Sequence, residues 1–103
     1  MTYENYTPHA IRLNDGREFQ SLGVARVEAT FTDIEGDVCR QVFGEVQGLP
    51  AFRAGVSLIV SGMVLAASSR EDLVAPATGH PATMRNEKGH IISVPCFVQG
   101  GAP

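Results

Sequence analysis

The sequence predicts a small β-rich α+β domain, an antiparallel barrel or sandwich of about five to six short strands with one short helix. Three observations predict it. Apolar and polar residues alternate with period two at 25–32 and again at 92–98, the pattern of a strand with one buried face. Turn chemistry punctuates the chain at Asn14-Asp15-Gly16, at the acidic stretch 33–37 and at Asn86-Glu87-Lys88-Gly89. The one stretch suited to a helix, 62–69, is short and follows Ser61.

Taken in order, Ile11 and Leu13 alternate with Arg12 and Asn14, and Asp15-Gly16 favours a tight hairpin with the return at 17–19. Ala25, Val27, Ala29 and Phe31 then alternate with Arg26, Glu28, Thr30 and Thr32, the cleanest strand signal in the chain. The segment 33–37 turns. The segment 38–46 reads as a strand interrupted by Gly44, and Gly48-Leu49-Pro50 ends it. The continuous apolar run 56–60 is expected to be a central buried strand. Ser61 is suited to cap the helix that follows, because its hydroxyl can accept an N–H of the first turn. Pro76 and Pro81 make 73–81 an expected extended loop, since proline removes ladder donors. After the turn at 86–89, Ile92, Val94, Cys96 and Val98 alternate as the last strand. Residues 1–99 are expected to form a single globular domain and 100–103 a flexible tail.

The 103 residues suit one domain with a modest core. Hydrophobic residues make up 44%, which favours a folded chain over a disordered one. Eight basic residues against eleven acidic ones give a net charge of −3, and the basic residues are scattered, so an extended nucleic-acid surface is not expected. A compact phosphorylated ligand needs only two or three converging donors. No stretch is apolar and long enough for a transmembrane helix, and the first residues do not resemble a secretory signal, so a cytoplasmic chain without membrane contact is expected. Cys39 and Cys96 have no CxxC spacing and read as buried free thiols. His9, His80 and His90 form no spaced ligand pair, so no metal site and no cofactor are expected, and no nucleophile, P-loop or dinucleotide motif is present.

Three stretches could carry chemistry. The corner Thr7-Pro8-His9 presents a hydroxyl and an imidazole beside a rigid backbone, or else closes a local hydrogen bond at a strand edge. The segment 74–86 holds Thr78, Gly79, His80 and Arg85 between and after two prolines. A stiff loop loses less entropy on binding, Gly79 permits close approach, and the side chains are donors suited to phosphate or ribose oxygens. Ser61-Gly62 joins a buried strand to a helix, where free N–H groups would favour an anion.

The chain resembles a family of small proteins of tailed phages and prophages. The resemblance runs from Asn5-Tyr6-Thr7-Pro8-His9-Ala10-Ile11, an Asn-Leu-Thr-Pro-His-x-Ile-like opening, through Gly23-Val24-Ala25-Arg26-Val27, Phe43-Gly44-Glu45-Val46-Gln47-Gly48-Leu49-Pro50 and Leu58-Ile59-Val60-Ser61. It continues through Asp72-Leu73-Val74-Ala75-Pro76-Ala77-Thr78-Gly79 and Arg85-Asn86-Glu87-Lys88-Gly89-His90-Ile91. Tyr6 stands where Leu is common, and Ala77 where many relatives carry Asp. The resemblance implies a phage origin and, by analogy, an accessory role against host defence in the host cytoplasm. The expectation is a non-enzymatic protein, a homo-oligomer, that sequesters a small phosphorylated nucleotide immune signal, such as a cyclic oligonucleotide or an ADP-ribose derivative, using Thr7, His9, Ser61, Gly62, Thr78, Gly79, His80 and Arg85. The alternatives are a virion or host-enzyme interaction protein and a phosphoesterase acting on the same signals.

Overall fold

The computed structural model describes residues 1–100. Among them, the elements run β1 (Thr2–Asn5), β2 (Ile11–Arg12), β3 (Glu18–Phe19), β4 (Arg26–Phe31), β5 (Gln41–Gln47), β6 (Val56–Ile59), α1 (Gly62–Ala67), β7 (Leu73–Pro76), β8 (Met84–Arg85), β9 (Ile91–Ser93) and β10 (Phe97–Gln99). The chain is β-rich with one short helix, as predicted, but it has ten short strands in place of the expected five to six, because turns and Pro95 cut the predicted strands, and its sheets are neither antiparallel throughout nor closed into a barrel. Its centre is a mixed four-stranded sheet in the order β1-β6-β7-β10. β1 pairs with β6 and β6 with β7 in parallel, while β10 runs antiparallel to β7. Three two-stranded sheets, β2-β3, β4-β5 and β8-β9, surround it. The physical reason is the helix: α1 carries the chain from the end of β6 back to the start of β7, the crossover that parallel strands require.

The apolar run 56–60 is the centre of the sheet. Leu58, Ile59, Val60 and Leu73 are fully buried, and each such side chain contributes about 1.5–3 kcal/mol by leaving water. Leu58, Val60 and Leu73 pack with Ala25 at the start of the β4-β5 hairpin and with Val64 on α1. Gly48 lets the end of β5 lie against the chain at Val24. Its φ is +91°, and a Cβ there would fall 2.7 Å from the Val24 carbonyl oxygen, so no side chain fits without backbone movement. Tyr3, Phe19 and Phe97 form a second, aromatic cluster, with ring centroids 4.9–5.9 Å apart.

The proline-bearing segment departs from expectation. Leu73–Pro76 is an inner strand, not a loop. Leu73 and Ala77 bond toward the β10 side, through Gly100 N–H to Leu73 O and Ala77 N–H to Cys96 O. By alternation Pro76 therefore faces the β6 side, beyond Ile59, the last paired residue of β6, so its missing N–H costs no ladder bond. The expected last strand is two strands, β9 and β10, on either side of Pro95. The strand expected at 38–46 begins only at Gln41. Cys39 and Cys96 are both free, as expected, but exposed instead of buried: one sits at the tip of the β4-β5 hairpin, outside the core, and the other in the break after Pro95. Gly100, placed in the tail by sequence, still donates to Leu73 O at 3.3 Å. Residues 101–103 lie outside the described residues.

The β4-β5 hairpin reaches well beyond the core. Its register pairs Val27 with Val46, Ala29 with Phe43 and Phe31 with Gln41, with a bulge between the first two pairs. The bulge keeps Val46 and Phe43, three residues apart, on the face shared with Val27 and Ala29. That face packs against the core at its base and continues uncovered to the tip. The molecule measures 47 × 38 × 26 Å with a radius of gyration of 15.2 Å, against roughly 13 Å for a compact chain of this length.

Candidate functional site: the carboxyl ends of the parallel strands

The register aligns Asn5 with Ile59 and Ile59 with Val74. The three stretches singled out by sequence, Thr7-Pro8-His9, Ser61-Gly62 and Thr78-Gly79-His80, therefore all follow the carboxyl ends of the adjacent parallel strands β1, β6 and β7. That end of a sheet is where open parallel folds seat ligands. The three stretches differ in what their polar groups do there.

The first is closed on itself. Asn5 is 1% exposed and Thr7 7% exposed. Asn5 Oδ1 accepts from Thr7 N–H at 2.9 Å and lies 2.7 Å from Thr7 Oγ1, while Asn5 Nδ2 donates to the carbonyls of His9 at 2.8 Å and Phe19 at 2.9 Å. Thr7 Oγ1 is also 2.9 Å from His9 O, so its one proton has two acceptors to serve. Ser21 Oγ donates to Thr7 O at 2.6 Å. The hydroxyl that the sequence offered as a ligand contact is thus engaged in holding the corner, while the His9 ring is exposed to solvent. Beside it, Tyr6 donates to Glu4 at 3.1 Å, and Glu4 also pairs with Arg53. The Arg53 hydrogen bond holds the Glu4 carboxyl below the usual glutamate range. Burial, then the Glu4 hydrogen bond, push the Tyr6 phenol up.

The second stretch is a helix cap. Ser61 Oγ accepts from Val64 N–H at 3.3 Å, and Ser61 O accepts from Leu65 N–H at 2.9 Å. The six-residue helix is too short for a substantial dipole. Gly62 lines a depression with Leu65, Ser68, Ser69 and Gln99, separate from the cleft that Thr78 lines.

The third stretch is open. Thr78, Gly79 and His80 are exposed, and a Cβ added to Gly79 would meet nothing within 4 Å. His80 Nδ1 accepts from Ala82 N–H at 3.0 Å, which leaves the proton of the neutral ring on Nε2, facing away from the backbone. Among the described residues the Thr78 hydroxyl has no protein partner. Arg85 donates from Nη1 to Gly89 O at 2.9 Å and from Nη2 to Thr78 O at 3.5 Å. Four arginines are in ion pairs, Arg12 with Glu18, Arg17 with Asp15, Arg53 with Glu4 and Arg70 with Asp72. Among the described residues Arg85 is in none, so two carbonyls orient a guanidinium that no described carboxylate pairs with.

Thr78 stands on the rim of a cleft of about 220 Å³ walled by Ile11, Pro76, Ile91 and Ile92, with Arg12 at its edge and no carboxylate in its lining. Sequence reasoning brought Thr78 and Arg85 forward and missed these walls. Ile91 and Ile92 are consecutive in a strand, so alternation assigns one of them to solvent and gives no sign that both border a cleft. Ile11 and Arg12 belong to a hairpin that tertiary packing alone brings against β9. Among the described residues, no three His, Cys, Asp or Glu side chains converge as a metal site would require, and no helix is long and apolar enough to cross a membrane.

The fold and this site define a class: a β-rich domain with a mixed central sheet and an apolar cleft, rimmed by donors, near the carboxyl ends of its parallel strands. Compared with protein-family models, curated proteins and solved structures, the chain finds no match.

Proposed function

We propose that this chain binds a small phosphorylated nucleotide at the cleft between β2, β7 and β9 and holds it without cleaving it. The observation that carries the reading is the Arg85 guanidinium, unneutralised and held against the Thr78 carbonyl at the rim of an apolar cleft. Isoleucine and proline walls suit the flat face of a base. The Thr78 hydroxyl, the His80 Nε2–H and Arg85 offer donors to phosphate and ribose oxygens. The cleft is smaller than the roughly 300–1,000 Å³ typical of ligand pockets, so it takes one base or sugar and leaves the rest of the ligand over the rim. The resemblance to small tailed-phage proteins supports the narrower reading, an accessory protein that sequesters a nucleotide immune signal in the host cytoplasm.

Titration calorimetry against nucleoside monophosphates, cyclic dinucleotides and cyclic ADP-ribose isomers tests the reading. Saturable binding is expected for at least one of them. Arg85→Ala should weaken it tenfold or more, as a charge-assisted hydrogen bond worth about 1.5–3 kcal/mol requires. Absence of heat across the panel overturns the proposal. Chromatography of the recovered ligand separates capture from hydrolysis: an intact ligand is expected, and a cleaved one means a phosphoesterase.

A further inference from the structure

We infer that the β4-β5 hairpin is an arm that docks on a second copy of this chain, against the β8-β9 hairpin beside the cleft. The arm exposes Phe31 (67%), Ile34 (75%) and Val38 (69%). Isolated exposed apolar residues are ordinary. Here Phe31 continues, by alternation, the face whose base at Val27 and Val46 is packed against the core, and Ile34 and Val38 follow it in the tip, so an apolar end of the hairpin is left exposed. The tip is well formed: Glu35 and Val38 exchange two backbone hydrogen bonds of 2.8 and 3.2 Å, and Thr32 Oγ1 accepts from Arg40 N–H at 2.8 Å. A projecting, ordered and apolar hairpin has the character of an interaction element.

Charge selects the partner. The tip carries Asp33, Glu35 and Asp37 against Arg40. The β8-β9 hairpin is also exposed and apolar, at Met84 (50%), Ile91 (41%) and Ile92 (50%), and it carries Arg85 and Lys88 against Glu87. Among the described residues, neither Arg85 nor Lys88 is in an ion pair. One chain thus displays an acidic apolar arm and a basic apolar face, and two copies related by a two-fold axis can satisfy both at once. A seated arm would add a wall from the second copy at the cleft of about 220 Å³. Self-association does not depend on the nucleotide reading and is tested without ligand.

Sedimentation velocity at micromolar concentration should show the wild-type chain as a dimer. Ile34→Asp should sediment as a monomer with a nearly unchanged melting temperature, because Ile34 is three-quarters exposed. Asp37→Lys and Lys88→Glu should each weaken the dimer tenfold or more at low salt, and an equimolar mixture of the two should regain a dimer through the reversed pair. A wild-type monomer, a dimer that survives Ile34→Asp, or a mixture that stays monomeric overturns the inference. Neither Asp37 nor Lys88 lines the cleft, and sedimentation without ligand reads the dimer whatever calorimetry shows of the nucleotide.

Discussion

Two corners of this molecule are built from the same residue types and follow adjacent positions in the same sheet, yet their chemistry differs. Thr7-Pro8-His9 follows β1, and Thr78-Gly79-His80-Pro81 follows β7. In the first, Asn5 reaches into the corner and collects Thr7 and the carbonyls of His9 and Phe19. In the second, the equivalent inward group is absent: Val74, which is aligned with Asn5 through Ile59, has no hydrogen-bonding side chain. The hydroxyl of Thr78 is therefore left to solvent, and Arg85 arrives from β8 to hold the backbone from outside. A polar side chain becomes available for a ligand where the fold has not already spent it on backbone groups.

The widest separation between the corners should come from Asn5→Ala. It strands the Thr7 N–H and the Phe19 carbonyl in a buried site, at a cost of about 3 kcal/mol or more, which lowers the melting temperature by on the order of 15 °C. An unfolding midpoint within a few degrees of wild type would mean that the first corner is not closed as described. Thr7→Val and Thr78→Val give the direct comparison. The first should cost about 1–2 kcal/mol in denaturant unfolding, because it removes a buried donor. The second should stay within about 0.5 kcal/mol, as exposed substitutions do, while weakening the proposed nucleotide binding. Equal stability losses would erase the distinction between the corners.

The smallest effect concerns pH. The Glu4 carboxyl beside the first corner is held below its ordinary range by Arg53. A group whose pKa is depressed on folding adds stability above its unfolded pKa and loses it as the pH falls through the folded value. Any advantage of wild type over Glu4→Gln should therefore be present at neutral pH and shrink in acid, below the ordinary glutamate range. Because Glu4 pairs at an exposed site, the advantage should also shrink with added salt. An advantage that grows on acidification would contradict the pairing.

Much of the local structure was legible in the sequence. The alternation at 25–31 is β4, the apolar run at 56–60 holds the central strand, and Ser61 caps the one helix. Asp15-Gly16 and Lys88-Gly89 mark turns in which the glycines take φ of 95° and 82°. Thr78 and Arg85 were legible as a donor pair because a short loop joins Thr78 to β8, and proximity in sequence forces proximity in space. The site walls were not, since Ile11 and Ile91 lie on different hairpins. The same holds for the role of Thr7: its sequence neighbours do not reveal that the Asn5 amide would claim it.

The sequence by itself determined which segments extend, where they turn and which side chains are apolar, because backbone sterics and hydrophobic alternation act over a few residues. Tertiary structure alone decided that β1, β6 and β7 run parallel, that Pro76 faces a gap in the ladder, and that one threonine is buried while its counterpart stays open. Those outcomes depend on which distant strand supplies a backbone partner, and strand pairing between distant segments is set by the packing of the whole core.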